Sequence, residues 1–388
     1  MKIAVINAGS SSVKFKLFEV KNREVLAQAL VENIGGANSG ITLNFEGKKI
    51  VVASVIKNHH EALKQTIELL KEHNLLLDFS SLNAIGHRVV HGGEDFCSAT
   101  LIDEQVIEKL KTLTHLAPLH NGANLEGILV ARKKAPLVKH IAVFDTAFHS
   151  KMPEEAYLYA LDYSLYEKHK IRRYGFHGTS HSYISKSCAL EMKRDICELN
   201  IITLHLGNGS SACAIKGGMS IDTSMGFTPL EGLVMGSRSG DIDPAIVFYL
   251  QRELGFSVDE VEDILNKKSG VLGICGTNDF KVIESSEDEK SKLALSIMSR
   301  RVKKYIGAYM ALLGSVDAIV FSGGIGENSA VVRENILENI GFGIDLDRCA
   351  NELNKKIIST PKSEIQVMVI KTDEELEIAN ECLDVLRS

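Results

Sequence analysis

Two α/β domains built on one plan are what this 388-residue sequence predicts, and three observations lead there. The chain is long enough for about two domains of ordinary size. An apolar strand, a turn of small residues and an alternating stretch occur in that order twice, about half a chain apart, and a third strand-to-glycine unit comes later. Between these units run amphipathic stretches punctuated by helix start and stop signals.

The first unit is Ile3–Ile6 followed by Asn7-Ala8-Gly9-Ser10-Ser11-Ser12. Val13, Phe15 and Leu17 are then set against Lys14, Lys16 and Glu19, and period two after a tight turn predicts a β-hairpin. Ile201–Leu206, Gly207-Asn208-Gly209 and Ser210–Ile215 repeat the plan, with Gly9-Ser10-Ser11 aligned on Gly209-Ser210-Ser211. The third unit is Ala318–Ser322 running into Gly323-Gly324-Ile325-Gly326-Glu327-Asn328. Ser286-Glu287-Asp288-Glu289 reads as a capping box for a helix that stops near Gly314, and Asn328 or Ser329 caps the next, which ends before Gly341. Asp243-Pro244 starts another helix. A strand over Ile365–Ile370 leads to Thr372-Asp373-Glu374-Glu375, a second capping box, and a last helix. No Pro/Ser-rich linker is present, so the repeat alone sets the domain boundary, near 145–155.

The net charge of −6 argues against a dedicated binder of nucleic acid or anionic membrane, which would present a basic surface. It leaves a small anionic substrate open, because a few local arginines suffice for that. The first apolar run is too short for a signal sequence, and no run of about 18 apolar residues predicts a membrane span. The seven cysteines are scattered and form no CxxC pair, which fits reduced thiols. The expected location is the cytoplasm.

The sequence carries no Walker A motif and no protein-kinase motif set. Gly207-Asn208-Gly209-Ser210-Ser211-Ala212 fits a loose dinucleotide pattern, but an alternating hairpin follows it where a helix would be required. One such turn alone would read as a plain hairpin turn. Three Gly/Ser/Asn turns, each after an apolar strand, point instead to backbone amides and hydroxyls that cradle phosphate. Arg88 in Gly86-His87-Arg88-Val89-Val90-His91-Gly92-Gly93 and Arg238 in Gly236-Ser237-Arg238-Ser239-Gly240-Asp241 are flanked by glycines. Their planar forks suit carboxylate or phosphate, with a surface salt bridge as the alternative. Asp145 ends the apolar run Val143-Phe144, where a ligand group or a cap is equally at home. His177 and His181 are four apart but enclose no HExxH glutamate. Thr179 and Ser180 read as a helix cap that leaves His177 before the helix, so metal ligation is not favoured. Glu374 lies in the first turn of the last helix, a place the helix dipole alone would favour for an acid.

Taken together, Asn7-Ala8-Gly9-Ser10-Ser11-Ser12-Val13-Lys14, Phe144-Asp145-Thr146-Ala147-Phe148-His149, Arg173-Tyr174-Gly175-Phe176-His177-Gly178-Thr179-Ser180-His181 and Gly324-Ile325-Gly326-Glu327-Asn328 resemble the acetate kinase family over essentially the whole chain. The resemblance implies the duplicated architecture of acetate and sugar kinases, heat-shock ATPases and actin: two ribonuclease H-like α/β domains flanking a nucleotide cleft. The implied domains are 1–148, joined by the terminal helix at about 376–388, and 149–375. It implies ATP and ADP, acetate and acetyl phosphate as ligands, Mg²⁺ (or Mn²⁺) as cofactor, and a homodimer.

Residue by residue, the resemblance makes Asn7 and Glu374 magnesium-associated. Lys14, His205, Leu206, Gly207, Asn208, Gly209, Gly324, Ile325, Gly326, Glu327 and Asn328 become nucleotide-binding. Arg88 and Arg238 hold the carboxylate and the moving phosphoryl, Asp145 is the catalytic acid and His177 a transition-state stabiliser. Val90, Leu119 and Phe176 line the methyl pocket. A third nucleotide segment departs from the family pattern: relatives usually end it in Asp-x-Arg, whereas here it reads Asp279-Phe280-Lys281, which keeps the charge but loses the planar stacking surface.

Phosphoryl transfer is mostly positioning and charge stabilisation. A carboxylate acceptor is already ionised at neutral pH, so Asp145 is expected to orient and stabilise charge without acting as a base. A propionate or butyrate kinase would share every polar residue. A sugar kinase of the same architecture would use Asp145 as a true base, and a non-catalytic clamp of the actin or heat-shock type would not need the arginine pair.

Overall fold

The structure, a computed structural model, describes residues 1–22, 24–36, 38–117 and 120–387. The chain divides into two compact units, Met1–Ser150 with Asp373–Ser388, and Lys151–Thr372. Each is an α/β unit with a mixed sheet flanked by helices.

Unit 1 carries β1 (Lys2–Ala8), β2 (Val13–Glu19), β3 (Glu24–Glu32), β4 (Gly40–Phe45), β5 (Lys48–Ala53), β6 (Ala84–Val89), β7 (Thr100–Leu101) and β8 (Lys139–Phe144) in the order β5-β4-β3-β2-β1-β6-β8-β7. Unit 2 carries β9 (Asn200–Leu206), β10 (Ser210–Lys216), β11 (Met219–Thr223), β12 (Ala318–Ser322) and β13 (Gln366–Val369) in the order β11-β10-β9-β12-β13. The central five strands match. In β3-β2-β1 and in β11-β10-β9 neighbours are antiparallel, whereas β1, β6 and β8, like β9, β12 and β13, run parallel.

Alternation along β1 explains why both faces of that sheet are covered. Ala4, Ile6 and Ala8 join a core with Leu63 and Leu70 of the helix His59–Glu72 and Ala131 of the helix Asn121–Lys134. Ile3 and Val5 face the terminal helix Glu374–Arg387 through Ile378, Ala379 and Cys382. That helix lies so close to β6 that a Cβ at Gly86 would sit 2.7 Å from Cys382 Sγ, so glycine is what permits the packing. In unit 2, Ile202, Leu204 and Leu206 pack on the helix Glu289–Leu313, and the helix Gly178–Met192 covers the other face of β9.

Several local expectations shift. Gly9 opens a four-residue turn between Ala8 and Val13, whereas Gly209 closes a three-residue turn between Leu206 and Ser210, so the aligned Gly-Ser-Ser motifs occupy different turn positions. The cap of the helix Glu289–Leu313 is Asp288, whose carboxylate accepts from Ser291 N, and Ser286 is left outside it. Asp373 caps the terminal helix by accepting from Leu376 N, which frees the Thr372 hydroxyl for another partner. In both cases an aspartate three residues before the accepted N–H outcompetes a neighbouring serine or threonine.

Candidate functional site

The parallel strands of each unit end on the same side of their sheet, and several of the sequence-predicted residues lie at those carboxyl ends. In unit 1, Asn7 lies near the end of β1, while Arg88 near the end of β6 pairs with Asp145 just past β8 and reaches Glu374 in the first turn of the terminal helix. Register parity puts Asn7 on the terminal-helix face with Ile3 and Val5. Lys14 is its cross-strand partner and is exposed. Arg88 donates from Nε to Asp145 Oδ1 at 2.9 Å and from Nη2 to Asp145 Oδ2 at 2.7 Å, while Nη2 also lies 3.4 Å from Glu374 Oε2. The fork is thus spent on a carboxylate of the protein, and among the described residues Nη1 has no hydrogen-bond partner. Burial works against the charge of Arg88, but Asp145 and Glu374 outweigh it and hold the guanidinium firmly protonated. Burial raises the Asp145 carboxyl, Arg88 opposes that, and Glu374 adds to it.

Two buried asparagines, absent from the sequence reading, shape the loop after β6. Asn124 accepts from Val90 N at 3.1 Å and donates to Ala8 O at 2.7 Å, and Asn121 accepts from His91 N and donates to His91 O. The pair Asn121-x-x-Asn124 in the first turn of a helix was the available signal. Val90 is half-buried, and Leu119 lies outside the described residues.

The oxygen donors of this cluster suit a hard divalent cation. Glu374 helps to push Asp145 up, a like-charge strain that such a cation would relieve. Among the described residues no three His, Cys, Asp or Glu side chains are arranged to hold a metal. Magnesium commonly takes one or two carboxylates and completes its shell with water and phosphate oxygens, so the carboxylates of this cluster suit it.

In unit 2 the turn Gly207-Asn208-Gly209 follows β9, and the helix Gly323–Asn328 follows β12. Gly323 has φ +76°, and a Cβ there would meet Leu206 O at 2.7 Å. A Cβ on Gly209 would lie 3.4 Å from His177 Nε2 and 3.5 Å from Arg238 Nη1. An imidazole edge and a guanidinium therefore converge over one glycine. His177, at φ 56°, is itself the N-cap of the helix Gly178–Met192. Thr179 and Ser180 are not the cap: Ser180 Oγ lies 2.8 Å from both His205 Nδ1 and Thr372 Oγ1. The His177 and His205 rings stand 4.3 Å apart. Arg238 donates from Nη1 to Pro229 O at 3.2 Å and has no carboxylate partner among the described residues, so burial lowers its pKa.

Other expected nucleotide residues have internal duties. Glu327 Oε1 accepts from Gly323 N and Thr372 N, and Asn328 Nδ2 donates to Gly324 O. Leu206 and Ile325 are core residues, and Gly326 O accepts from the fully buried Arg333. Asn208 Oδ1 accepts from Asn278 Nδ2. Asp279 caps the helix Phe280–Ser285, Phe280 packs on the core, and Lys281 is exposed. Phe176 is buried beside His177.

The acetokinase family model matches residues 2–380. The chain belongs to that family. It is 62% identical over 389 residues, with both chains fully covered, to the acetate kinase of Sulfurimonas denitrificans. The crystal structure of the Porphyromonas gingivalis acetate kinase superposes with a TM-score of 0.94 at 42% identity, covering 99% of each chain. A propionate kinase from Francisella tularensis gives 0.93 at 44% identity over 98% of each chain. Family likeness of this strength extends to enzymes named for two acids.

Proposed function

We propose that this chain is an acetate kinase, which transfers the γ-phosphoryl group of ATP reversibly to acetate and yields acetyl phosphate and ADP. The observation that carries the reading is the convergence of His177 Nε2 and Arg238 Nη1 over Gly209, in a turn of small residues. Donors in that arrangement suit a phosphoryl group whose charge spreads over its equatorial oxygens.

An acetate oxygen attacks the γ-phosphorus in line, the bond to the bridging oxygen breaks, and ADP leaves with that electron pair. No proton has to be moved, because acetate is ionised at neutral pH. Asp145 supports this account, since both its oxygens already serve Arg88. Its role is to fix Arg88 so that Nη1 faces the incoming carboxylate. Arg238 and His177 neutralise the moving group. Lys14, His205, the turn Gly207–Gly209, Lys281 with Asp279 and Phe280, and Gly324–Asn328 hold the nucleotide. Val90, Leu119 and Phe176 receive the methyl group. Asn7 and Glu374 would hold Mg²⁺, which when bound neutralises phosphate charge.

The matching five-strand order supports a ribonuclease H-like plan in both units. The chain works in the cytoplasm as a homodimer, and the exposed Ile246, Phe248 and Tyr249 supply apolar surface for pairing. No helix among the described residues is long and apolar enough to cross a membrane.

The test is a coupled assay with ATP, Mg²⁺ and either acetate, propionate, butyrate or glycerol. Acetate should be preferred and propionate should leak through, because one methylene in an apolar pocket discriminates by only about 1–3 kcal/mol. A larger kcat/KM for butyrate or glycerol than for acetate would defeat the assignment.

A further inference from the structure

His177 ends a buried chain of four side chains on the face of β9 covered by the helix Gly178–Met192. Thr203 Oγ1 lies 2.8 Å from His181 Nδ1, His181 Nε2 lies 2.8 Å from Ser211 Oγ, and Ser211 Oγ lies 2.8 Å from His177 Nδ1. Thr203, His181 and Ser211 are all fully buried.

A hydroxyl has one hydrogen, so Ser211 can donate to only one of the two ring nitrogens it touches. Of His177 Nδ1 and His181 Nε2, one accepts and the other donates. The far end of the chain decides which. Among the described residues the Thr203 hydroxyl has no partner besides His181 Nδ1, and a buried donor left unbonded is costly. Thr203 therefore donates to His181 Nδ1. Neutral His181 then carries its hydrogen on Nε2 and donates to Ser211, and Ser211 donates onward to His177 Nδ1. The remaining hydrogen of His177 must sit on Nε2, the atom that converges with Arg238 Nη1 over Gly209. The opposite polarity would leave neutral His177 with a bare Nε2, an acceptor facing phosphate oxygens.

We propose that Thr203, His181 and Ser211 form a directed hydrogen-bond relay that holds His177 as the neutral Nε2–H tautomer, which makes them positioning residues for phosphoryl transfer. The inference rests on the acetate kinase reading for its purpose, but not for its geometry.

The test uses the full-length protein labelled with ¹⁵N-histidine. Two-bond ¹H–¹⁵N spectra separate protonated from bare ring nitrogens, and His177→Gln assigns the His177 signals. The native protein should show hydrogen on Nε2 and a bare Nδ1 at His177. Thr203→Val keeps the β-branched shape and removes the donor, so a second His177 tautomer should appear. Thr203→Ser should restore the single one. Ser211→Ala should lower kcat on the order of tenfold with KM for ATP within about twofold, a fraction of the roughly 10²–10³ that loss of a whole transition-state donor costs. Hydrogen on Nδ1 or on both nitrogens of native His177, or an unchanged single tautomer in Thr203→Val, overturns the relay. The native spectrum decides even if a variant fails to fold. Failure of the acetate kinase reading would look different: the tautomer would be as stated, yet the wild-type chain would not phosphorylate acetate.

Discussion

Arg88 and Arg238 belong to units that share a five-strand order, yet their charges are balanced in opposite ways. Arg88 comes with two counter-ions of its own, Asp145 in a bidentate pair and Glu374 at 3.4 Å. Arg238 has a backbone carbonyl and burial that works against its charge. In one unit the guanidinium is part of the fold. In the other no carboxylate among the described residues balances its charge. The same sheet plan therefore carries one guanidinium held by carboxylates and one without a carboxylate partner among the described residues, and the local surroundings decide which.

The sharpest way to break this contrast is to remove each charge and follow stability. Arg88→Met strands Asp145 in a nearly dry site and should cost about 3–5 kcal/mol, as breaking buried pairs does. Arg238→Met leaves no carboxylate behind, so its melting temperature should hold or rise. Equal losses in thermal melts of the two variants would erase the distinction.

Turnover comes next. Lysine keeps the charge but not the planar fork. Arg238→Lys and Arg88→Lys should each lower kcat by roughly 10²–10³, or about 2.7–4 kcal/mol, with the fold retained. If both act on one phosphoryl-transfer step, the double variant should lose much less than the sum. Near-wild-type turnover in both single variants would remove them from the mechanism.

Acid should also loosen the strands of unit 1. Burial lowers His87, His91 and His140, all in unit 1, and takes His91 down to about 4. His87 Nε2 and His140 Nδ1 lie 2.9 Å apart, and His140 Nε2 donates to Ala135 O, which suits a pair of neutral rings. A histidine lowered in the folded state binds its proton more readily when unfolded, so stability rises with pH. The contribution of these rings is full above about pH 6.5, the usual histidine value, and declines as pH falls towards the folded value. Hydrogen exchange between pH 7 and 4 should show β6 and β8 losing protection as these rings take up protons. Unchanged protection of β6 and β8 down to pH 4 would contradict this.

The smallest effect concerns Glu374. Glu374→Ala should raise the Mg²⁺ requirement while costing at most about 1 kcal/mol of stability, the usual worth of an acid at a helix N-terminus. An unchanged Mg²⁺ titration with a lowered melting temperature would leave Glu374 as a helix-end acid alone.

What could be read from the sequence follows from how local each signal is. The two hairpins were legible because alternation such as Val13, Phe15 and Leu17 declares a strand within a few residues. The caps at Asp288 and Asp373 were displaced by two residues and one, because adjacent polar side chains compete and the sequence does not rank them. The Arg88–Asp145 pair was hidden, since its partners come from separate strands 57 residues apart. Asn121 and Asn124 were missed because a buried asparagine serving a distant loop looks like any polar residue at a helix start. The relay behind His177 was obscured in the same way: Thr203 lies in an apolar strand, where a threonine passes for a β-former.

The terminal helix also gives the polypeptide a timetable. It completes the core formed by Ile3, Val5, Ala84, Ile141 and Val143, yet residues 151–372 must be synthesised first. At roughly 5–20 residues per second that interval is tens of seconds. During it the first unit on the ribosome shows one greasy sheet face, and Arg88 lacks Glu374. Unit 2 has no such wait, since its segment is continuous. The half of the molecule made first is thus finished last, and it is the half that would need a chaperone's shelter.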